Sequence, residues 1–379
     1  MEILIIILIV YPYLIYPLIL WILSKRRTKQ QKNIKDIGSE KYSVTLLIAA
    51  YNEETVIKEK LDNALKLDLM GNNFEIVVGS DGSTDKTNEI VKAYSQKYPL
   101  IKLINYTDRA GKVNVINKSI AYCSGEIVIL SDANAMYNEA AVINILKHFS
   151  DSHVGCVAGE KRIKTTDNMV SSNEGLYWKL ESFIKKLEDK VSTVIGADGA
   201  CYAIRRNLFM PLPQDTSVDD FLLSMKIVEQ GYKIAYEKDA YSFEETGQTL
   251  QQELKRKIRI GAGNFYNLRF LKSFFHMSLE SFMFLSHKFL RWISPIFFIT
   301  LTVILLINID DIENKILFFI LLLSYLMGVV GFFFQHCLIT DNKIIKIITY
   351  FYLVVLAQLL GFIRFLKGTQ KAIWETVRE

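Results

Sequence analysis

A chain of 379 residues, half of them apolar, can hold one large folded domain or two small ones together with membrane segments. The formal net charge of +5 is mild, and no basic run is dense enough to indicate nucleic acid as the main partner. None of the four cysteines has CxxC spacing, which argues against a structural zinc site and favours reduced, buried thiols.

The N-terminal run of residues 3–23 is uncharged and has the length of about 20 residues that a helix needs to cross a bilayer. A cleaved signal peptide is the alternative, but positive charge follows this run, at residues 25–29, instead of preceding it. Because positive residues tend to stay in the cytoplasm, we expect the N-terminus outside and residue 25 onward inside. Pro12 and Pro17 predict a kink in this span.

From residue 42 the chain alternates short β-rich apolar runs with segments of helical periodicity. The predicted strands are 44–50, 74–79, 101–105 and 126–131, and the predicted helices between them are 53–67, 85–98 and 112–122. This alternation predicts an α/β fold with a mostly parallel, Rossmann-like sheet, right-handed crossovers and flanking helices.

Polar residues follow each predicted strand, at the edge where open sheets of this kind bind ligands. They are Tyr51, Asn52 and Glu53 after the first strand, Asp81 after the second, Gly111 and Lys112 before the third helix, and Asp132 and Asn134 after the fourth strand. Any one group can be explained as a helix cap. Four groups on one edge indicate a site for a polar ligand.

The residue types at this edge favour a phosphate-bearing ligand and a metal ion. Helix N-termini and Lys112 offer amide donors and positive charge for phosphates. The chain has neither a GxxxxGK[ST] loop nor a GxGxxG after the first strand, which disfavours a P-loop nucleoside triphosphatase and a dinucleotide-binding fold. Asp132 and Asn134 offer hard oxygen ligands that suit Mg²⁺ or Mn²⁺ bridging a diphosphate, where the metal acts as a Lewis acid.

Two further polar groups lie later in this region. Asp219 and Asp220 begin a predicted helix that ends at Gly231. The two acids either favour the helix dipole or include a general base near a sugar acceptor hydroxyl. A tight glycine turn at 196–201, with Asp198 and Gly199, precedes a strand-like run at 202–204 and is predicted to line an acceptor pocket.

The C-terminal part is apolar again. Residues 250–289 interleave basic and aromatic residues, which indicates helices in the headgroup region or, alternatively, an ordinary amphipathic surface helix. Three spans are predicted at 292–309, 316–339 and 347–363. Counting spans places the C-terminus outside, whereas the basic tail at 364–378 indicates the cytoplasm. The last segment is therefore re-entrant or interfacial, or the charge rule fails here.

These patterns divide the chain into six predicted segments. They are an N-terminal transmembrane helix (1–24), a linker (25–41), a catalytic domain (42–248), interfacial amphipathic helices (249–289), C-terminal transmembrane helices (290–366) and a tail (367–379).

Six motifs, in their order along the chain, resemble family 2 glycosyltransferases of the GT-A fold, which include cellulose, chitin and hyaluronan synthases. They are Ala50-Tyr-Asn-Glu-Glu54, Ser80-Asp-Gly-Ser-Thr-Asp85, Gly111-Lys112 with Asn117, Asp132-Ala-Asn134, Gly196-Ala-Asp-Gly199 and Asp219-Asp220. They cover about residues 44–260, and the flanking spans match the membrane-bound members of the family. Single motifs are weak, whereas the ordered set is specific.

The resemblance implies a role for each matching position. The donor would be bound by Tyr51, Asn52, Glu53, Asp81, Gly111, Lys112, Asp132, Arg256 and Arg259. The metal, Mg²⁺ or Mn²⁺, would be held by Asp132 and Asn134. The acceptor side would contain Asp198, Gly199 and Asp219, with Asp220 as the catalytic base.

The resemblance also implies the reaction, which is inverting transfer of a sugar from a nucleoside diphosphate donor, most commonly a UDP-sugar. The acceptor would be a lipid-linked sugar or a polysaccharide at the cytoplasmic membrane face, with partner subunits of a polysaccharide assembly as further partners. A processive synthase that exports its product is the first alternative, and a non-catalytic membrane scaffold is the second.

Two departures from the family pattern bear on these expectations. Asn134 stands where the metal motif usually has Asp, which keeps an oxygen ligand but removes one negative charge. Where processive synthases carry Gln-x-x-Arg-Trp, this chain has Arg256-Lys-Ile-Arg259-Ile260. The missing tryptophan argues against polymer synthesis.

Overall fold

The computed structural model describes residues 1–27, 41–163, 169–244, 249–334 and 342–369. The chain divides into two compact units. The sheet unit comprises Ser24–Lys164, Glu181–Glu244 and Lys371–Glu379, and the helical unit comprises Met1–Leu23, Thr165–Leu180 and Glu245–Gln370.

The sheet unit is built on an eight-stranded sheet in the order β3-β2-β1-β4-β7-β6-β8-β5. The strands are β1 (Ser43–Ala50), β2 (Asn73–Asp81), β3 (Ile101–Tyr106), β4 (Ile127–Asp132), β5 (Met136–Tyr137), β6 (Val154–Ile163), β7 (Tyr202–Arg205) and β8 (Lys233–Glu244). Strands β1 to β4 are parallel, as predicted. Strand β7 runs antiparallel to both β4 and β6, and β5 runs antiparallel to β8, so the sheet is mixed.

Six helices flank this sheet along the chain. They are α3 (Ile57–Ala64), α4 (Thr87–Lys97), α5 (Lys112–Ser119), α6 (Ala141–Leu146), α7 (Met169–Val191), whose second half belongs to the sheet unit, and α8 (Asp219–Glu229). The first helix was predicted to begin at Glu53 but begins at Ile57. Asn52 has a φ of 51°, in the left-handed region, so the chain turns there before the helix can start.

The hydrophobic core explains why these elements form. All seven residues of β1 after Ser43 are buried, which is the pattern of a strand covered on both faces. Leu46 and Ile48 belong to the same buried cluster as Ile57 and Leu61 of α3. Burying each such side chain stabilises the fold by about 1.5–3 kcal/mol. The polar residues at the strand ends are therefore attached to a well-packed core.

The helical unit contains α1 (Glu2–Val10), most of α2 (Ile15–Arg27), the first half of α7 and six C-terminal helices. The latter are α9 (Leu250–Asn267), α10 (Leu279–Phe284), α11 (Leu290–Trp292), α12 (Ser294–Ile307), α13 (Ile312–Phe333) and α14 (Lys343–Leu366). Helices α13 and α14 are long and apolar enough to cross a membrane. The number rises to four if two bent pairs each form one span.

Two pairs of helices are bent at a short break, and the first bend lies in the span in which a kink was predicted at Pro12 and Pro17. The N-terminal pair, Glu2–Val10 and Ile15–Lys25, is bent by 58°, and Pro12 lies in the break between its helices. The second pair, Leu279–Trp292 and Ser294–Ile307, is bent by 60°. The end of the span predicted at 316–339 lies outside the described residues, as does most of the linker predicted at 25–41.

Candidate active site

The carboxyl ends of β1, β2 and β4 lie side by side. Strand β1 is between the other two, with Ala50 opposite Ser80 of β2 and Ala49 opposite Asp132 of β4. Strand β7 is antiparallel to β4, with Tyr202 opposite Leu130, so the turn that precedes β7 comes to this same edge. Polar groups from both halves of the sheet unit therefore meet at one edge.

Lys112 is the centre of this group. It is the first residue of α5, and its Nζ lies 2.7 Å from Oδ1 of Asp132 and 3.3 Å from Oδ2 of Asp219. Burial alone would lower the pKa of Lys112, but the carboxylates of Asp132 and Asp219 outweigh burial and raise it above its ordinary value. Lys112 is therefore a fixed cation that joins the end of β4 to the start of α8.

Asp220 lies on the other side of the same cluster. Its Oδ2 accepts a hydrogen bond of 2.5 Å from the backbone amide of Gly199, and its Oδ1 accepts one of 2.8 Å from the amide of Phe221. Loss of hydration and the neighbouring charge of Asp219 raise the pKa of Asp220 to about 7, although Lys112 opposes the shift. A carboxyl with this pKa can accept a proton near neutral pH.

Gly199 shows how closely these groups converge. A β-carbon at this position would lie 3.2 Å from Oδ2 of Asp220 and 3.5 Å from both Oδ2 of Asp132 and Nζ of Lys112. One methyl group would thus touch the three side chains from α5, β4 and α8. The sequence prediction placed these residues in one cleft, and the structure brings them together.

Asp81 fixes the loop that leads into α5. It is buried, and its two oxygens accept hydrogen bonds of 2.8 Å from the backbone amides of Ala110 and Gly111. Gly111 has a φ of 92°, a conformation that favours glycine. The structure gives Asp81 this positioning role, and its expected contact with the nucleoside remains a prediction.

The loop after β1 packs against the loop after β2. The backbone amide of Asn52 donates to Ser83 Oγ (3.1 Å), and Asn52 Oδ1 accepts from the amide of Thr84 (2.9 Å). The guanidinium of Arg109 stacks over the ring of Tyr51 at 3.8 Å. Glu53 is buried, and its amide donates to Thr87. The predicted donor residues of this loop therefore lie at the same edge as Asp81.

Two buried lysines support the cluster, and the sequence prediction missed both. Lys185 on α7 forms an ion pair with Asp198, next to Gly199. Lys60 on α3 is fully buried, donates a hydrogen bond of 2.5 Å to the carbonyl of Ala135 and lies 4.0 Å from the ring centre of Tyr137. Burial lowers the pKa of Lys60 to about 7, although the charge of Asp132 is among those that oppose the shift.

Asn63, one turn after Lys60, completes a clamp on the segment that follows Asp132 and Asn134. Its Nδ2 donates to the carbonyl of Tyr137 (2.8 Å), and its Oδ1 accepts from the amide of Tyr137 (2.9 Å). The sequence did contain a signal, because Lys60 stands at helical spacing with the apolar Ile57, Leu61 and Ala64. Lys185 had no such signal, because α7 was not predicted.

The donor set at Asp132 and Asn134 fits a shared metal ion. Within the residues that the structure describes, no group of three His, Cys, Asp or Glu side chains is arranged to hold a metal. Mg²⁺ is commonly held by one or two carboxylates together with substrate phosphates. One carboxylate and one amide oxygen are ligand types that suit a cation arriving with a diphosphate, and the role of Asp132 and Asn134 as metal ligands remains a prediction.

Arg256 and Arg259 lie on α9, in the helical unit. The guanidinium of Arg256 pairs with the buried carboxylates of Glu174 and Glu253, and these pairs raise its pKa above the ordinary value although burial acts in the opposite direction. The structure thus assigns Arg256 a charge-pairing role within the helical unit. The predicted contact of Arg256 and Arg259 with the donor phosphates remains a prediction.

The mixed sheet, with an Asp–Lys–Asp cluster at its edge, has the architecture of the GT-A fold. Residues 45–211 match the family model described as Glycosyl transferase family 2.

Two curated relatives are similar to this chain over part of their length. The chain is 28% identical over 270 residues to the probable glycosyltransferase YdaM of Bacillus subtilis, which covers 68% of this chain and 62% of that protein. It is 26% identical over 225 residues to the poly-beta-1,6-N-acetyl-D-glucosamine synthase of Staphylococcus aureus, which covers 58% of this chain and 54% of the synthase. The chain thus spans somewhat more than half the length of these relatives.

One solved structure has the same overall fold. It is the mannosyltransferase PcManGT from Pyrobaculum calidifontis, determined in complex with GDP-Man and Mn²⁺. The two structures superpose with a TM-score of 0.73 over 97% of this chain and 99% of that one, at 21% sequence identity.

Proposed function

We propose that this chain transfers a sugar from a nucleoside diphosphate sugar to an acceptor hydroxyl, with inversion at the anomeric carbon. The observation that carries the proposal is the convergence of Lys112, Asp132 and Asp220 around the position that a β-carbon at residue 199 would occupy. A lysine cation beside a carboxyl whose pKa is raised to about 7 supports binding of a leaving diphosphate next to a general base. UDP-sugars are the donors we expect first.

On the donor side, this chain supplies positive charge and backbone amides. Lys112 and the N-terminus of α5 attract the diphosphate, and Asp81 holds the preceding loop in place for it. Asp132 and Asn134 would hold Mg²⁺ or Mn²⁺, which stabilises the negative charge that develops on the leaving diphosphate. The Mn²⁺ and GDP-Man bound to PcManGT support a cation and a nucleotide sugar here too.

On the acceptor side, Asp220 accepts the proton of the attacking hydroxyl. The amide of Gly199 and the helix start at Asp219 orient the carboxylate, so that attack and proton transfer occur in one displacement. Asp198, held by Lys185, lies in the same turn and is expected to contact the acceptor. No covalent intermediate with the enzyme is needed.

The acceptor is proposed to be a lipid-linked sugar or a polysaccharide at the cytoplasmic face of the membrane. Two helices long and apolar enough to span a bilayer support a membrane location. The basic residues that follow the N-terminal apolar run support a cytoplasmic side for the sheet unit. Partner subunits of a polysaccharide assembly fit this location.

A processive synthase is the second candidate, and the Staphylococcus aureus relative favours it. The missing tryptophan after Arg259 argues against it. Membrane vesicles supplied with donor separate the two, because a long product retained inside vesicles supports a synthase that exports its polymer. Addition of a single sugar supports the simpler transferase.

The test of the proposal is a screen of nucleotide sugars with membranes that contain the full chain, measured as metal-dependent release of nucleoside diphosphate and mass spectrometry of the product. Asp220→Asn is expected to lose about 10²–10⁴-fold in kcat while it still binds donor, in the range that a general base contributes. Asp239→Asn, on the exposed surface of β8, is the matched control. If no donor in a broad panel is turned over, the non-catalytic scaffold replaces this proposal.

A further inference from the structure

Helix α14 is long and apolar enough to cross a membrane, but its partner α9 is not. The first ten residues of α9 contain five charged side chains, which are Glu253, Lys255, Arg256, Lys257 and Arg259. Each charge at the centre of a bilayer costs about 2.5–3.5 kcal/mol on insertion scales. Helix α9 therefore belongs outside the hydrocarbon layer, where its interleaved aromatic residues suit the headgroup region.

The two helices run side by side in the same direction. Tyr350 donates a hydrogen bond of 3.4 Å to Glu253, near the start of α9, and Leu353 shares a buried cluster with Leu250. Toward the other end, the rings of Phe265 and Phe362 are 4.9 Å apart. The contacts follow the same order along both helices, so α9 and α14 are parallel.

Close backbone contact fixes this alignment. A β-carbon on Gly361 would lie 2.8 Å from the amide nitrogen of Ala262, and one on Gly261 would lie 3.3 Å from the carbonyl oxygen of Ala357. The last contact is between Phe365 and the guanidinium of Arg269, 4.9 Å apart. The stretch over which α9 and α14 are in contact is about 24 Å long at 1.5 Å per residue. If α14 spanned the bilayer, α9 would therefore have to cross it as well.

We infer that α14 does not cross the bilayer but lies with α9 in the lipid headgroup layer, with its exposed apolar side chains toward the acyl chains. Leu356 and Ile363, seven residues apart on one face, are exposed large apolar side chains that suit this contact. The end of the chain then stays on the side of the membrane where α9 lies.

The charges at the helix ends support this orientation independently. Acidic residues at 310–313 precede and begin α13, and basic residues Lys343 and Lys346 begin α14, which places the start of α14 in the cytoplasm. Arg364 and Lys367 at the other end of α14 are basic as well. A spanning α14 would put these charges outside, whereas an interfacial α14 keeps both ends in the cytoplasm. With α14 at the interface, the number of spans and the basic tail both place the end of the chain in the cytoplasm.

Single cysteines and a membrane-impermeant maleimide test the inference in the full chain. Three exposed positions are compared: Lys255→Cys on α9, Asp310→Cys in the turn before α13, and Thr369→Cys after α14. Cys123, Cys156 and Cys201 are buried, and Cys337 is replaced by serine. In intact cells we expect Asp310→Cys to react, and Lys255→Cys and Thr369→Cys to react only after the membrane is opened.

Reaction of Thr369→Cys together with Asp310→Cys in intact cells would overturn the inference. The inference rests on the proposed membrane location, and the same experiment separates the two failures. If all three positions react alike in intact cells, the membrane-spanning proposal itself is wrong, and the inference with it.

Charge substitutions provide a second measurement that does not depend on labelling. Leu356→Lys near the middle of α14 is compared with Ile320→Lys in α13, since both side chains are exposed on their helices. We expect the amount of membrane-assembled protein to fall several-fold for Ile320→Lys and by less than about twofold for Leu356→Lys, because a lysine near the headgroups reaches water. Equal losses for both variants would contradict an interfacial α14.

Discussion

The backbone amide of Gly199 donates its hydrogen bond to the carboxylate of Asp220, at 2.5 Å. This bond joins the turn before β7 to the first turn of α8, so the turn and the carboxylate are positioned together. A side chain at 199 would enter the space between Asp220, Asp132 and Lys112. The relationship makes the turn a part of the site rather than a connection between elements.

The pH dependence of turnover is expected to follow Asp220. Its pKa is raised to about 7, and a general base works only when it is deprotonated. We therefore expect kcat to fall about tenfold per pH unit below pH 7 and to level off above it. Initial rates at saturating donor and acceptor between pH 5.5 and 8.5 check this, and a flat profile over that range would count against Asp220 as the base.

Gly199→Ala is expected to lower kcat at least about tenfold with little loss of stability. The added methyl group would meet Asp220 at 3.2 Å and Asp132 at 3.5 Å, and misplacement of catalytic groups by small distances is costly. The matched control is Gly175→Ala in α7, where an added β-carbon meets nothing within 4 Å. Equal activity of the two variants would show that position 199 does not border the reacting groups.

Lys60→Met is expected to raise the donor KM about fivefold to tenfold, because the loss of the hydrogen bond to Ala135 loosens the segment after Asp132. We expect a smaller change in kcat, since Lys60 does not touch the reacting atoms. Binding of nucleoside diphosphate, measured by calorimetry with and without Mn²⁺, should weaken in parallel. Lys58→Met, an exposed lysine on the same helix, is the control, and an unchanged donor affinity in Lys60→Met contradicts the clamp.

Lys185→Met is expected to destabilise the protein by about 3–5 kcal/mol, the usual cost when one partner of a buried ion pair is removed. Lys185 is buried on α7, and its partner Asp198 would be left without its cation. The double variant Lys185→Met with Asp198→Asn is expected to recover part of this loss. Thermal unfolding of the four proteins of this cycle measures the coupling, and additive losses would mean that the pair is not coupled.

The parallel half of the sheet could be predicted because its strands are continuous apolar runs with polar ends. Residues 44–50 and 126–131 read as buried strands, and both form where expected. Strands β6 and β8 were missed because β6 contains Gly155 and Gly159, and β8 carries several charges. The sequence also did not predict that β7 is antiparallel to its neighbours, because a short apolar run contains no local signal for strand direction.

The sequence predicted the charged residues of the candidate site, but it did not predict the buried lysines that hold them in position. Asp132, Lys112 and Asp220 stood out because they follow strands or begin helices in the motif order. Lys60 and Lys185 act through a carbonyl and a carboxylate that lie far from them in sequence, 75 and 13 residues away. Only the folded contacts identify such partners.

The reversal of β7 also separates two tasks along the gene. Within the sheet unit, groups expected to hold the donor are encoded before residue 135, and those expected to meet the acceptor are encoded after residue 195. If the proposed function holds, recombination that replaces only residues 195–244 is expected to change the acceptor hydroxyl, while the predicted nucleotide-binding residues are inherited intact. Diversity among such enzymes can therefore arise by exchange of one portion of the coding region.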